Sequence, residues 1–168
     1  ADNFEGFRKG YGILAWDSDF DVKAYSTIFN DPNPTENEFS NLWVGIYVKP
    51  MGQVNDVVID DNVFTNNHYG VLFEGSVNYA RIVNNDFFID ENINWDLANG
   101  HAGIYTKVAS GFQIENNNFT GLTQTSIGNN VGIFVEDAST VASAEIYKNN
   151  FELLDLGIQT KRNNSSLN

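Results

Sequence analysis

The segment FQIENNNF, residues Phe112–Phe119, belongs to a pattern that returns along the chain, with an apolar residue, Ile, Asn and Phe at fixed spacing. Three further copies are Val57–Phe64 (VVIDDNVF), Ala80–Phe87 (ARIVNNDF) and Ala144–Phe151 (AEIYKNNF), and Val22–Phe29 (VKAYSTIF) is a weaker one. Apolar and polar positions alternate in each copy with a period of two, which is typical of a strand with one buried face. Repeats of this kind predict a stack of equivalent units.

A second motif, which begins with Gly and then Ile or Val, alternates with the first. Its copies are Gly12–Trp16, Gly45–Lys49, Gly70–Glu74, Gly103–Lys107, Gly132–Glu136 and Gly157–Lys161. The motifs keep their sequences while the spacing between them varies, so the insertions fall in loops. We expect long loops at 30–44, 88–102 and 120–131.

The I-x-x-N-x-F and G-I repeats resemble those of the right-handed parallel β-helix family, the pectin-lyase-like solenoids, over nearly the whole chain. The predicted fold class is therefore all-β, a parallel β-helix of about five to six coils. Stacked coils about 4.8 Å apart would convert the repeated residues into continuous ladders of Ile, of Phe and of Asn. The Asn ladder would consist of Asn62, Asn85, Asn117 and Asn149, each at a turn that accepts left-handed backbone geometry. A β-sandwich is the alternative, but it requires hairpin turns between paired runs.

Composition excludes several classes of function. The chain has 22 Asp and Glu against 9 Lys and Arg, a net charge of −13, so neither nucleic acid nor an anionic membrane is an expected partner. The sequence contains no Cys, which excludes disulfides, thiolate metal sites and a Cys nucleophile. Twenty-five Asn and 14 Gly residues disfavour helices. No apolar run is long enough for a membrane span.

The resembled family contains both polysaccharide-active enzymes and non-catalytic tailspikes and surface proteins, so fold alone does not decide function. The sequence lacks any Arg-x-Lys, and its −13 charge would repel a polyanionic substrate. We therefore expect a non-catalytic segment of an exported bacterial protein, extracellular or at the cell surface. It would serve as a scaffold or as a module that binds carbohydrate or a partner. The alternative is a polysaccharide-active lyase, hydrolase or epimerase that acts along one sheet.

The residues four positions after each glycine alternate in charge: Trp16, Lys49, Glu74, Lys107, Glu136 and Lys161. If the chain is an enzyme, Lys107, His101, Glu74 and Glu136 are the candidate acid–base residues. The structural interpretation, which we favour, is a charge ladder that fixes strand register, with each pair contributing roughly 0.2–1 kcal/mol.

Candidate ligand-binding residues are Tyr47, Tyr105 and Phe134, which share the outward position two after glycine, together with His68. His68 and His101 both lie two residues before a glycine. They are a metal pair, a base with the residue that orients it, or two polar side chains on an exposed edge. The exposed edge is favoured because no third ligand has suitable spacing.

The acidic segment that contains Asp17, Asp19 and Asp21 is a weak candidate for Ca²⁺, the only cofactor considered. A solvated acidic loop is the favoured interpretation, because the spacing lacks the glycine and glutamate of an EF-hand loop.

We further expect residues 1–168 to be one uncapped β-helix segment of a longer chain. Phe4 and Ile158 would then be covered by further chain or by another protein, because an open coil exposes its apolar ladder and unpaired strand edges.

Overall fold

The computed structural model describes residues 8–52, 54–90, 101–122, 130–138 and 142–168. Their strands, numbered in chain order, form three large parallel sheets. Sheet A contains β1 (Arg8–Ala15), β4 (Leu42–Val48), β8 (Tyr69–Glu74), β12 (His101–Lys107), β15 (Asn130–Glu136) and β18 (Leu156–Lys161). Sheet B contains β2 (Phe20–Lys23), β6 (Val57–Asp60), β10 (Arg81–Val83), β13 (Gln113–Glu115) and β16 (Glu145–Tyr147). Sheet C contains β3 (Asn37–Ser40), β7 (Asn62–Thr65), β11 (Asp86–Ile89), β14 (Asn118–Gly121) and β17 (Asn150–Glu152). A small sheet pairs β5 (Val54–Asn55) with β9 (Val77–Asn78).

Each coil passes through sheet A, then B, then C, and returns to sheet A one strand further along. Strands of successive coils pair in parallel, so that every sheet grows by one strand per coil. The described residues contain five such coils and the sheet A strand of a sixth. The all-β parallel β-helix predicted from the repeats is confirmed.

The core is built from the repeated Ile and Phe residues. Ile104 pairs in register with Val71 and with Ile133, and all three are fully buried. The Phe rings of sheet C stack face to face, with centroids 4.7 Å apart between Phe64 and Phe87 and an angle of 6° between the rings. Burial of a side chain of this size contributes about 1.5–3 kcal/mol, so each coil adds a similar increment of stabilisation through its ladder residues.

The repeated glycine is required by the Phe ladder. A Cβ on Gly70 would lie 2.7 Å from Phe87 Cδ1 and 2.6 Å from the carbonyl oxygen of Gly103. Both distances are far inside van der Waals contact, and one of the atoms belongs to the backbone. The glycine therefore lets sheet A approach the stacked rings.

The predicted Asn ladder is present and extends by one residue. Asn62 Nδ2 donates to Asn85 Oδ1, and Asn85 Nδ2 donates to Asn117 Oδ1, each at 3.0 Å. Asn37 joins the first coil, donating to Asn62 Oδ1 at 2.8 Å. The left-handed residue is the one before each of the four predicted ladder Asn residues, such as Asn84 with φ of 56°. The prediction placed that conformation one residue too late.

The first coil corrects one repeat assignment. Phe29, which the weak copy placed in the Phe ladder, is 92% exposed, and Phe39 occupies that place instead. The reason is an insertion between β2 and β3, closed by an antiparallel bridge between Tyr25 and Thr35. The range 30–44, expected to be a loop, therefore contains β3 and the start of β4. Phe4 lies outside the described residues.

Candidate functional site

The outer face of sheet A carries the column of charged residues four positions after each glycine. Parallel pairing places Lys107 beside Glu74 on one side and Glu136 on the other. Lys49 Nζ lies 3.4 Å from Glu74 Oε2, and Lys107 Nζ lies 3.9 Å from Glu74 Oε1. The predicted ladder of alternating charge is present, and each of these partly exposed pairs contributes about 0.2–1 kcal/mol.

Two tyrosine hydroxyls bind the same carboxylates, a contact that the sequence analysis missed. Tyr47 donates to Glu74, and Tyr105 donates to Glu136. These hydrogen bonds are the main reason that the pKa of each carboxyl group lies below its usual value, and Arg162 Nε, 3.1 Å from Glu136 Oε1, adds to the effect. Desolvation and the bonded glutamates raise the pKa of both tyrosines. Both glutamates are therefore ionised at neutral pH and carry no proton to donate.

The four residues suggested as an acid–base set are only partly assembled. Glu74, Lys107 and Glu136 are neighbours in three consecutive strands. His101 begins β12 and Lys107 ends it, a separation of roughly 20 Å at about 3.3 Å per strand residue. The histidine therefore lies at the opposite edge of the sheet from the charged column.

An outer apolar cluster lies on sheet A beside these residues. Its buried members are Val44, Tyr69, Ala102, Val131 and Phe134. Tyr47 and Tyr105 pack against the cluster and are half-buried. We expected Phe134 to be exposed with them, but it is only 8% exposed, because it stacks on Tyr105 with ring centroids 4.7 Å apart. The partly exposed aromatic surface instead joins Tyr47 to Tyr11, with centroids 5.5 Å apart.

The two histidines belong to a column of residues two positions before each glycine, called here the histidine column: Trp43, His68, His101, Asn130 and Asp155. The exposed edge that we favoured for the histidines is wrong, since His68 is 3% exposed and His101 is 6% exposed. Their Nδ1 atoms lie 3.3 Å apart, and the two rings are nearly perpendicular, at 85°. Trp43 stacks on His68 with ring centroids 4.2 Å apart.

Burial, together with the neighbouring His101, lowers the pKa of His68 to about 3. Desolvation disfavours the charged imidazolium, so the His68 ring is neutral at physiological pH. A neutral imidazole has one nitrogen lone pair available as an acceptor or ligand.

Asn130 continues the histidine column in the next coil, as the Cα partner of His101. Its backbone N–H donates to Asp155 Oδ2 at 3.0 Å. Its side chain is fully buried, and among the described residues neither its Oδ1 nor its Nδ2 has a hydrogen-bond partner. An unpaired buried amide costs about 1–3 kcal/mol. The position of Asn130 in the histidine column could be predicted from the repeats, but the lack of partners for its side-chain amide could not.

The acidic segment does not gather its carboxylates. Asp17 Oδ1 accepts a hydrogen bond from the backbone N–H of Met51 at 2.5 Å, and Asp21 forms an ion pair with Lys23 at 2.7 Å. In the described part of the chain, no group of three or more His, Cys, Asp or Glu side chains could hold a metal ion. The weak calcium candidate formed by Asp17, Asp19 and Asp21 is therefore not supported by the geometry.

Comparison with protein families gives a match to a model described as periplasmic copper-binding protein (NosD), over residues 22–167. That range contains strands of all three large sheets, the charged column from Lys49 onward and the histidine column, whereas β1 and Tyr11 precede it. The chain belongs to the NosD family. NosD proteins are right-handed parallel β-helices, so the resemblance inferred from the repeats is confirmed, and the family description places them in the periplasm. No curated protein and no solved structure matches this NosD-family chain. Its described residues contain no helix of the length and apolar character needed to cross a membrane.

Proposed function

We propose that this chain acts outside the cytoplasm as a non-catalytic β-helical scaffold that binds a ligand on the outer face of sheet A. The periplasmic description of its family supports export, and an extracellular or cell-surface position is the finer form of the proposal. The observation that carries the proposal is the pairing of Glu74 and Glu136 with tyrosine hydroxyls and basic side chains. Carboxylates held in this way suit a fixed binding surface better than proton transfer.

A neutral carbohydrate is the ligand class that this surface favours. The partly exposed rings of Tyr11 and Tyr47 offer apolar faces on which a sugar ring can pack. Lys49 and Glu74 border Tyr47 and supply hydrogen-bonding groups. A polyanionic glycan is disfavoured, because the net charge of −13 would repel it.

The alternative remains a polysaccharide-active enzyme that uses Lys107 as a base between Glu74 and Glu136. The neighbouring charges in the ladder are the observation in its favour. Against it stand the ionised state of both glutamates and the distance of His101 from Lys107 along β12.

A polysaccharide array with neutral and acidic glycans tests the proposal and the alternative together. We expect binding of a neutral glycan without release of products, and a loss of about tenfold or more in affinity for Tyr47→Ala. Tyr25→Ala is the matched control, since Tyr25 is 68% exposed on the insertion between β2 and β3. Absence of glycan binding would refute the ligand class. Cleavage or epimerisation that Lys107→Ala abolishes would establish the enzyme alternative.

Copper binding is a second candidate function, because the family description names it. The sequence has no Cys and one Met, so thiolate ligands are excluded. The donors that fit are the Nδ1 atoms of His68 and His101, 3.3 Å apart, since imidazole is a ligand that suits copper. This candidate is independent of the glycan surface.

We also propose that another protein or further chain covers the exposed edge of β18. Ile158 is 45% exposed, whereas its register partner Ile133 is fully buried. An edge strand of this kind presents unpaired backbone groups to a neighbour. Concentration-dependent association that Ile158→Lys abolishes, measured by light scattering, would support the proposal for a second copy of the chain. A monomer at all concentrations would exclude a second copy of the chain as the covering protein.

A further inference from the structure

The histidine column differs from the other columns of the β-helix because its members change from coil to coil. The stacked Phe rings and the Asn ladder repeat one residue type, and each member satisfies the next. The histidine column instead brings two imidazoles and a primary amide together at buried positions, beside the partly buried indole of Trp43. Stacking of identical residues from coil to coil therefore does not explain why these residue types occur in the histidine column.

The two imidazole nitrogens have the separation of two donors on one ion. The two Nδ1 atoms lie 3.3 Å apart, so in the metal-free protein one ring donates a hydrogen bond to the other. Two metal–nitrogen bonds of about 2.0 Å place their nitrogens about 2.8 Å apart at a right angle and about 3.3 Å apart at the tetrahedral angle. An ion that replaces the shared proton could therefore bind both rings with little movement of either.

Asn130 supplies the second, independent observation. It is the register partner of His101, it is fully buried, and in the described residues both polar atoms of its side chain lack a partner. Amide oxygens serve as weak additional ligands in copper sites that are built mainly from stronger donors. A bound ion would satisfy the Asn130 oxygen.

We propose that His68 Nδ1, His101 Nδ1 and Asn130 Oδ1 form a binding site for one copper ion at the edge of sheet A. The proposal deepens the second candidate function above, since it assigns copper binding to three particular residues, and it does not depend on the glycan surface. Trp43, stacked on His68, closes one side of the site and reports on it.

Titration of the purified metal-free protein with CuSO₄, followed by tryptophan fluorescence and electron paramagnetic resonance, tests the site. We expect one equivalent to bind, with quenching of Trp43 by the paramagnetic ion and nitrogen couplings from two imidazoles. Trp43→Phe should remove most of the quenching, whereas Trp16→Phe, with the indole 59% exposed at another position, should retain it. If the spectrum of the unmodified protein shows bound copper without nitrogen couplings from imidazole, the proposed site is wrong. This result does not depend on whether the variants fold.

The copper affinities of variants at the three proposed ligands provide a second test of the site. We expect His68→Gln and His101→Gln each to weaken copper binding by roughly 100-fold, and Asn130→Ala by about tenfold. Asn118→Ala, an exposed Asn in β14, is the matched control and should bind like the unmodified protein. Urea midpoints for each variant show that it is folded.

Two results would overturn the proposal in different ways. If the unmodified protein binds no copper at micromolar concentration, both the site and the second candidate function fail. If it binds copper equally well after His68→Gln, the chain is a copper-binding protein but the ion lies elsewhere, for example at the acidic segment, and only this site fails.

Discussion

Replacement of Asn85 by alanine removes a central member of the Asn ladder. Asn85 Oδ1 accepts hydrogen bonds from the backbone N–H and from Nδ2 of Asn62, both at 3.0 Å. Its Nδ2 donates to the carbonyl oxygens of Ile59 and Val83, at 3.0 and 2.8 Å, and to Asn117 Oδ1 at 3.0 Å. The side chain is fully buried, so water cannot replace these contacts in the folded protein.

The expected loss follows from the groups that remain. The backbone N–H of Asn62 loses its acceptor at a buried position, which costs about 1–3 kcal/mol. The bonds of the two Nδ2 hydrogens add about 1 kcal/mol each. We therefore expect Asn85→Ala to lower the free energy of unfolding by about 3–5 kcal/mol, which is large for a single substitution.

Equilibrium unfolding in urea, followed by far-UV circular dichroism, measures this loss. For a slope of about 2 kcal/mol/M, the midpoint should fall by roughly 1.5–2.5 M. Asn118→Ala is the control, since its exposed side chain makes one bond to Asp86 at 2.7 Å and should cost about 0.5 kcal/mol or less. Equal midpoints for the two variants would refute the role of the ladder in stability.

Further predictions concern the glycine position, the charge ladder and acid pH. Gly70→Ala should cost about 1–3 kcal/mol through overlap with Phe87, while Gly52→Ala, with no atom within 4 Å of the added carbon, should leave the urea midpoint unchanged. Lys107→Glu would align three carboxylates in successive strands, so its melting temperature should fall at low salt and recover with added NaCl; an unchanged value at low salt would contradict the ladder. The pKa of Glu136 is lowered in the folded protein, so its contribution to stability is present above the unfolded carboxyl pKa of about 4.3 and is lost as pH falls through the folded pKa. Glu136→Gln should flatten the pH dependence of stability in this acid range, and an unaltered profile would count against the assignment.

The sequence was sufficient for most of the fold because neighbouring coils repeat the same residues at the same places. A ladder of Phe or Asn is visible as a column as soon as the repeats are aligned. The first coil was not predicted correctly, because the segment that ends at Phe29 matches the repeat although Phe29 is exposed. An insertion follows it, and Phe39, after the insertion, is the residue that joins the Phe ladder. Local pattern carries no information about where a closed loop is inserted.

The contacts on sheet A were harder to predict than the fold, because they depend on side-chain orientation and on packing over the edge of the sheet. Register fixed the neighbours in the charge ladder, so Lys107 between Glu74 and Glu136 could be predicted. The tyrosine bonds run diagonally, from Tyr47 to Glu74 in the next coil, and depend on side-chain length and orientation rather than on column position. Burial of His68 likewise depends on what packs over the edge of the sheet, which alternation along one strand does not reveal.

The charged column and the histidine column both vary from coil to coil on sheet A, but they differ in whether their polar groups have hydrogen-bond partners. The charged column varies in sign, but Glu74 and Glu136 have tyrosine and basic partners, so the scaffold alone accounts for it. The histidine column varies in residue type and leaves the buried amide of Asn130 unpaired within the described residues. A β-helix gains stability from columns whose members satisfy one another, and it gains none from an unpaired amide. The residues around Asn130 are therefore better explained by a ligand than by the fold, and the copper titration of His68 and Asn130 variants decides between these two explanations.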